Sequence, residues 1–147
     1  MHKTLQGICT AFGILALAAP AAAQFGGPPA PPNTGVPLQA RLFGPIGRGQ
    51  ITVVVDPPKG TACYIMNISG LDQVTAAHIH TGGPGETGAP VLTLTAPAAG
   101  ASGSCQPVAA DLAQALLANP GAYYVNVHTQ AAPNGAIRGQ LGGELVK

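Results

Sequence analysis

Charge is scarce in this chain. Only 7% of its 147 residues are Asp, Glu, Lys or Arg, and the formal net charge is +1. Residues such as Arg41, Arg48, Lys59 and Arg138 are offset by Asp56, Asp72, Glu86 and Asp111. No basic run forms the patch that nucleic-acid binding needs, and no basic amphipathic helix points to a membrane surface. Asp72 and Asp111 are single carboxylates in turn or cap contexts, with no spacing that pairs them as acid and base. Asp111 falls near the start of a helical stretch. There is no Gly-x-Ser-x-Gly elbow, and Ser102 and Ser104 lie in AGASGSC, which reads as a loop, so serine hydrolysis is disfavoured. The glycine-rich stretch from Gly82 to Gly88 lacks the Lys-Ser/Thr that ends a phosphate loop.

Long hydrophobic runs are also missing, apart from one near the start. MHKTLQGICTAFGILALAAPAAAQ has a basic beginning, an apolar run from Ile8 to Ala19, and Ala21-Ala22-Ala23. That is the form of a secretory signal peptide over residues 1–23, with cleavage before Gln24. The apolar run is shorter than the roughly 20 residues a membrane span requires. The expected product is exported, secreted or periplasmic, with no transmembrane segment after signal removal. Export removes Cys9 and leaves Cys63 and Cys105. In an oxidising compartment these two are expected to form a disulfide, which is favoured over a Cys/His metal site. They close a loop of about forty residues, for which the chain-entropy estimate is roughly 4 kcal/mol.

Residues 24–37 are rich in Pro and Gly and read as a linker or arm, with one domain from 38 to 147. Gln50 to Val55 is a β-branched run stopped by Asp56-Pro57-Pro58, and TACYIMNISG follows the PPKG turn, which together predict an antiparallel hairpin. VTAAHIHT, APVLTLTAP, AYYVNVHT and AIRGQLGGEL read as further strands. Residues 109–119 carry Leu112, Leu116 and Leu117 at helical spacing and end at Pro120-Gly121, which predicts one short helix. The fold class expected is all-β: an antiparallel sandwich or barrel, immunoglobulin-like, with one short helix.

TAAHIHTGGPGETGAPVLTL followed by YYVNVHTQAAPNGAIRGQL resembles the CHRD domain, named after the extracellular protein chordin. The likeness runs from about Leu38 to Leu141. Cys63 before Tyr64, and Cys105 before the helical stretch, resemble a bacterial secreted branch of that family. The amino-terminal part departs: this chain reads LQARLFGPIG where members often carry a Glu-Val-Pro-Pro-like stretch. The resemblance implies a secreted or envelope-associated all-β domain and no defined reaction.

Three histidines remain after the signal: His78, His80 and His128. Side chains alternate along a strand. His78 and His80 therefore oppose Ile79, and Tyr124, Asn126 and His128 oppose Val125 and Val127. Arg138 and Gln140 oppose Ile137 and Leu141. If these strands share a sheet, His78, His80, Asn126, His128, Arg138 and Gln140 collect on one polar face. His-x-His on a strand plus a third histidine suits copper or zinc. Three histidines with an open fourth position resemble a catalytic zinc site. Copper–zinc superoxide dismutase chemistry is discounted, because its dinuclear site needs more histidines. Glu86 is a further oxygen ligand if its loop folds back, and Arg138 would repel a cation unless it points away. Equally, histidines on a sheet face can simply hydrogen-bond nearby carbonyls. Of Tyr123 and Tyr124, burial of both is expected.

The reading is a non-enzymatic extracytoplasmic binding or structural module whose site is the three-histidine face, with copper or zinc as the metal. Its partner would be an extracytoplasmic protein or a small ligand, and not nucleic acid. The alternatives are a metal-dependent enzyme with an open three-His site, and an envelope assembly protein.

Overall fold

The computed structural model describes residues 35–142. The signal peptide read at 1–23 and nearly all of the arm read at 24–37 lie outside the described residues. Eight strands form one nearly closed antiparallel sheet, as the all-β reading expected. They are β1 (Val36–Phe43), β2 (Arg48–Asp56), β3 (Thr61–Ser69), β4 (Val74–Thr81), β5 (Pro90–Leu94), β6 (Ala101–Pro107), β7 (Tyr123–Thr129) and β8 (Ile137–Gln140). Their order across the sheet is β5-β4-β7-β8-β1-β2-β3-β6. The two edges approach each other where Gln106 Nε2 donates to the Thr93 carbonyl, at 2.8 Å.

Alternation puts the core inside the curl of the sheet. Leu38, Ala40 and Leu42 of β1 are buried with Ile51, Val53 and Val55 of β2. Met66, Ala77, Ile79, Val125, Val127 and Ile137 complete the layer. The one α-helix among the described residues, α1 (Ala110–Ala118), buries Ala113 and Leu116 and packs against β2 and the β2–β3 turn. Asp111 sits in its first turn, and Pro120 begins a short 3-10 turn after it.

The β2–β3 hairpin closes as the sequence predicts, with Asp56 paired to Thr61 across the PPKG turn. Asp56 is 4% exposed. Its carboxylate accepts from Lys59 N at 3.3 Å and pairs with Lys59 Nζ at 2.9 Å. Gly60 takes φ 61°, a left-handed angle that glycine adopts without steric cost.

Two strands were not legible in the sequence. β1 occupies VPLQARLF and starts at Val36, so Val36 and Pro37 at the end of the stretch read as an arm are sheet. Its apolar residues alternate with Gln39, Arg41 and Phe43, but Pro and Gly on both sides mask the signal. AGASGSC is not a loop: Ala101 to Pro107 form β6, paired with β3 in register from Thr61↔Pro107 to Asn67↔Ala101. None of its residues is buried, so it has no core-facing alternation to detect. Pairing to β3 makes it a strand. Cys63 and Cys105 stand directly opposite each other in that ladder and are joined by a disulfide.

β8 meets β1 at a close approach. A Cβ on Gly139 would overlap the carbonyl oxygen of Arg41, and would lie 3.0 Å from Leu42 Cδ2. The obstacle is backbone, which cannot rotate away. Gly139→Ala should therefore destabilise the domain by about 3 kcal/mol, in the range of an overpacked core. Urea unfolding should show a lower midpoint at unchanged slope; an unchanged midpoint would mean that β1 and β8 separate at no cost.

Candidate metal centre

Register brings the polar residues of β4, β7 and β8 alongside one another. His78 pairs with Asn126, and His80 with Tyr124, across β4 and β7. Asn126 pairs with Arg138, and Tyr124 with Gln140, across β7 and β8. His128 stands opposite Ala76, one step diagonal to His78. Because Ala77, Ile79, Val125 and Val127 are pulled into the core, all these polar side chains project outward together.

Outward here does not mean open. Asn126 is 6% exposed and His80 is 8%. Two loops, residues 82–88 and 130–136, fold over the face and are tied down by its side chains. Arg138 Nη1 donates to the Glu86 carbonyl at 2.9 Å. Gln140 Nε2 donates to the carbonyls of Gly82 at 2.6 Å and Gly121 at 2.7 Å. Asn126 Nδ2 donates to the Asn134 carbonyl at 3.2 Å. The three residues thus hold loop backbone. In the 82–88 loop, a Cβ on Gly88 would overlap the carbonyl oxygen of Thr81, which makes that close return specific to glycine.

The histidines are held the same way. His80 Nδ1 lies 2.9 Å from the Gly88 carbonyl, and His128 Nδ1 lies 2.9 Å from the Pro133 carbonyl. A carbonyl oxygen only accepts, so each Nδ1 carries the proton and each Nε2 keeps its lone pair. Those two Nε2 atoms are buried without a hydrogen-bond partner, and so is Nδ1 of His78. One nitrogen from each ring lies within 4.8 Å of the others. Ring centroids are 5.1 Å apart for His78 and His128, and 5.5 Å for His78 and His80.

Burial, then His128, then His80 hold the His78 imidazole below its ordinary pKa of 6.5. As pH falls below about 6.5, the unfolded chain takes up a proton that folded His78 resists. The stability contributed by His78 is therefore present above that pH and is lost on acidification. Melting temperature of metal-free protein should fall between pH 7 and pH 5, and His78→Gln should flatten the slope. Equal slopes in the two proteins would remove His78 as its cause.

The remaining site residues fall into place around this cluster. Tyr124, 3% exposed, stacks on His80 with centroids 5.0 Å apart. The Arg138 guanidinium lies 3.7 Å from the Tyr124 ring centroid. Tyr124 stands on the strand between those carrying His80 and Arg138, and its ring contacts both side chains. The loop does fold back, but the Glu86 carboxylate accepts from Gly83 N at 2.8 Å within its own turn. It is not among the grouped ligand atoms. Tyr123 is only partly buried, against the expectation that both tyrosines are enclosed; it is the first residue of β7 and follows directly on the 3-10 turn. Sequence reasoning missed Tyr124 as a neighbour of His80, although alternation already placed it on that face. The carbonyls of Gly88 and Pro133 carried no signal, since any residue supplies one.

The CHRD-domain family profile matches residues 20–141. The chain belongs to the CHRD family. Neither a curated protein nor a solved structure matches it. CHRD membership and the Cys63–Cys105 bridge fit an extracellular protein. No described helix is long and apolar enough to cross a membrane. In this CHRD domain the HIH motif and the VNVHT motif supply all three clustered histidines.

Proposed function

We propose that this protein is an exported binding or structural module that holds copper or zinc through His78, His80 and His128. One observation carries the reading: three buried imidazole nitrogens, one on each ring, lack hydrogen-bond partners, and the same three rings bring one nitrogen each within 4.8 Å of the others. Burying a lone pair without a donor is costly, and a bound cation removes that cost for all three. Zinc–imidazole bonds near 2.0–2.1 Å place tetrahedral ligand nitrogens about 3.3 Å apart. The clustered nitrogens lie within 4.8 Å of one another, so the rings need to close by no more than about 1.5 Å to reach that spacing. The carbonyls on Nδ1 of His80 and His128 are the outer contacts that metal-bound histidines commonly make, fixing tautomer and orientation. The donor set is neutral and nitrogen-only, which suits Cu(II) ahead of Zn(II) in affinity.

The alternative reading of these histidines is a wall of hydrogen bonds beneath the loops. It accounts for Nδ1 of His80 and His128 and leaves the three unpartnered nitrogens unexplained. Elemental mass spectrometry on mature protein purified without chelator or a histidine tag separates the two. Near-stoichiometric copper or zinc is the expected result. No metal, even after incubation with both ions, would sink the proposal.

A further inference from the structure

A second surface, of mixed polar and apolar lining, lies farther along the outside of the sheet. Register carries one row from His78 through Asn126, Arg138, Phe43 and Arg48 to Ser69. The next row holds Arg41, Gln50 and Asn67. Paired residues share a face, so Arg41, Phe43, Arg48, Gln50, Asn67 and Ser69 all point outward over β1, β2 and β3. With Gly49 and Ile68 they line a shallow groove of about 410 Å³. That volume lies within the range of sites for small ligands or a few sugar rings.

Three features set the chemistry of an occupant. Phe43 is 63% exposed, a flat aromatic platform beside two cations. Arg41 and Arg48 have no ion-pair partner among the described residues, where the one ion pair is Lys59–Asp56. Guanidinium groups recognise carboxylates through paired donors. Gln50, Asn67 and Ser69 add exposed neutral donors and acceptors suited to hydroxyl groups. The charge is too sparse for a polynucleotide, which requires a continuous cationic track.

We infer that this groove binds an acidic polysaccharide, with a sugar ring on Phe43 and uronate carboxylates on Arg41 and Arg48. The site needs none of the three histidines, so it stands or falls independently of the metal centre.

Affinity electrophoresis of the full mature chain through gels holding polygalacturonate tests it. The wild type should be retarded, less so as salt rises. The Arg41→Gln/Arg48→Gln double variant should bind at least about tenfold more weakly, and Phe43→Ala about tenfold more weakly. All three replaced side chains are exposed, so melting temperatures should match the wild type and exclude misfolding. Retardation that persists in EDTA supports the groove. Retardation lost in EDTA, equal retardation by neutral dextran, displacement by single-stranded DNA of equal charge, or a double variant that behaves as wild type each overturns it.

Discussion

Replacing Cys63 and Cys105 together by serine should lower the unfolding free energy by roughly 4 kcal/mol. The bridge spans a sequence separation of 42, and closing a loop of that length restricts the unfolded chain strongly. Domains of this size are stable by only about 5–15 kcal/mol, so the loss is a large share of the total. Its location matters as much as its size. β6 is an edge strand with no buried residue, made largely of Ala, Ser and Gly. Little except its ladder to β3 and the disulfide holds it. Hydrogen exchange should show β6 amides losing protection first, while those of β1, β2 and β7 follow global unfolding. A double-serine variant with an unchanged urea midpoint would show that the ladder alone suffices. Such a result would remove the stability argument for the bridge.

Loss of one histidine should have a comparable effect on metal binding. His128→Ala removes one of the three proposed ligands and also frees the Pro133 carbonyl, so the 130–136 loop loses an anchor. Removing even an outer hydrogen-bond partner of a metal ligand costs about 10–100-fold in affinity. Losing the ligand itself should cost at least about a hundredfold, or roughly 2.7 kcal/mol. His78→Ala should do the same. Wild-type melting temperature should rise on adding copper, since a ligand at about a thousand times its Kd stabilises by roughly 4 kcal/mol. The variants should show little of that rise. A copper-dependent rise of equal size in both variants and the wild type would place the binding elsewhere.

The candidate site was partly visible in the chain because a strand has a period of two. HIH and YVNVH with apolar residues between them state which side chains share a face, whatever the sheet order. What alternation does not contain is register. That His78 lies opposite Asn126, and His128 one step diagonal from it, depends on how far β4 slides along β7. The slide is set by burial of Ala77, Ile79, Val125 and Val127 within one core. Glu86 shows the limit most clearly. Its sequence position permits a ligand, and only the folded loop shows its carboxylate turned onto Gly83. Arg138 shows the same from the other side, since only the folded structure shows its guanidinium placed over Tyr124 and bonded to the Glu86 carbonyl.

By itself the sequence determined the all-β class, the β2–β3 hairpin, the single helix, the pairing of Cys63 with Cys105, and the shared face of three histidines. These follow from local period, turn chemistry and a count of two cysteines. Tertiary structure alone decided that VPLQARLF and ASGSCQP are strands, because each is stabilised by neighbours distant in the chain. It also decided that the polar face is roofed by two loops, and that one buried, unpartnered nitrogen on each of the three imidazoles lies beneath them. Those are matters of long-range packing: a carbonyl from Gly88 or Pro133 reaches a histidine only after the sheet has closed beneath it.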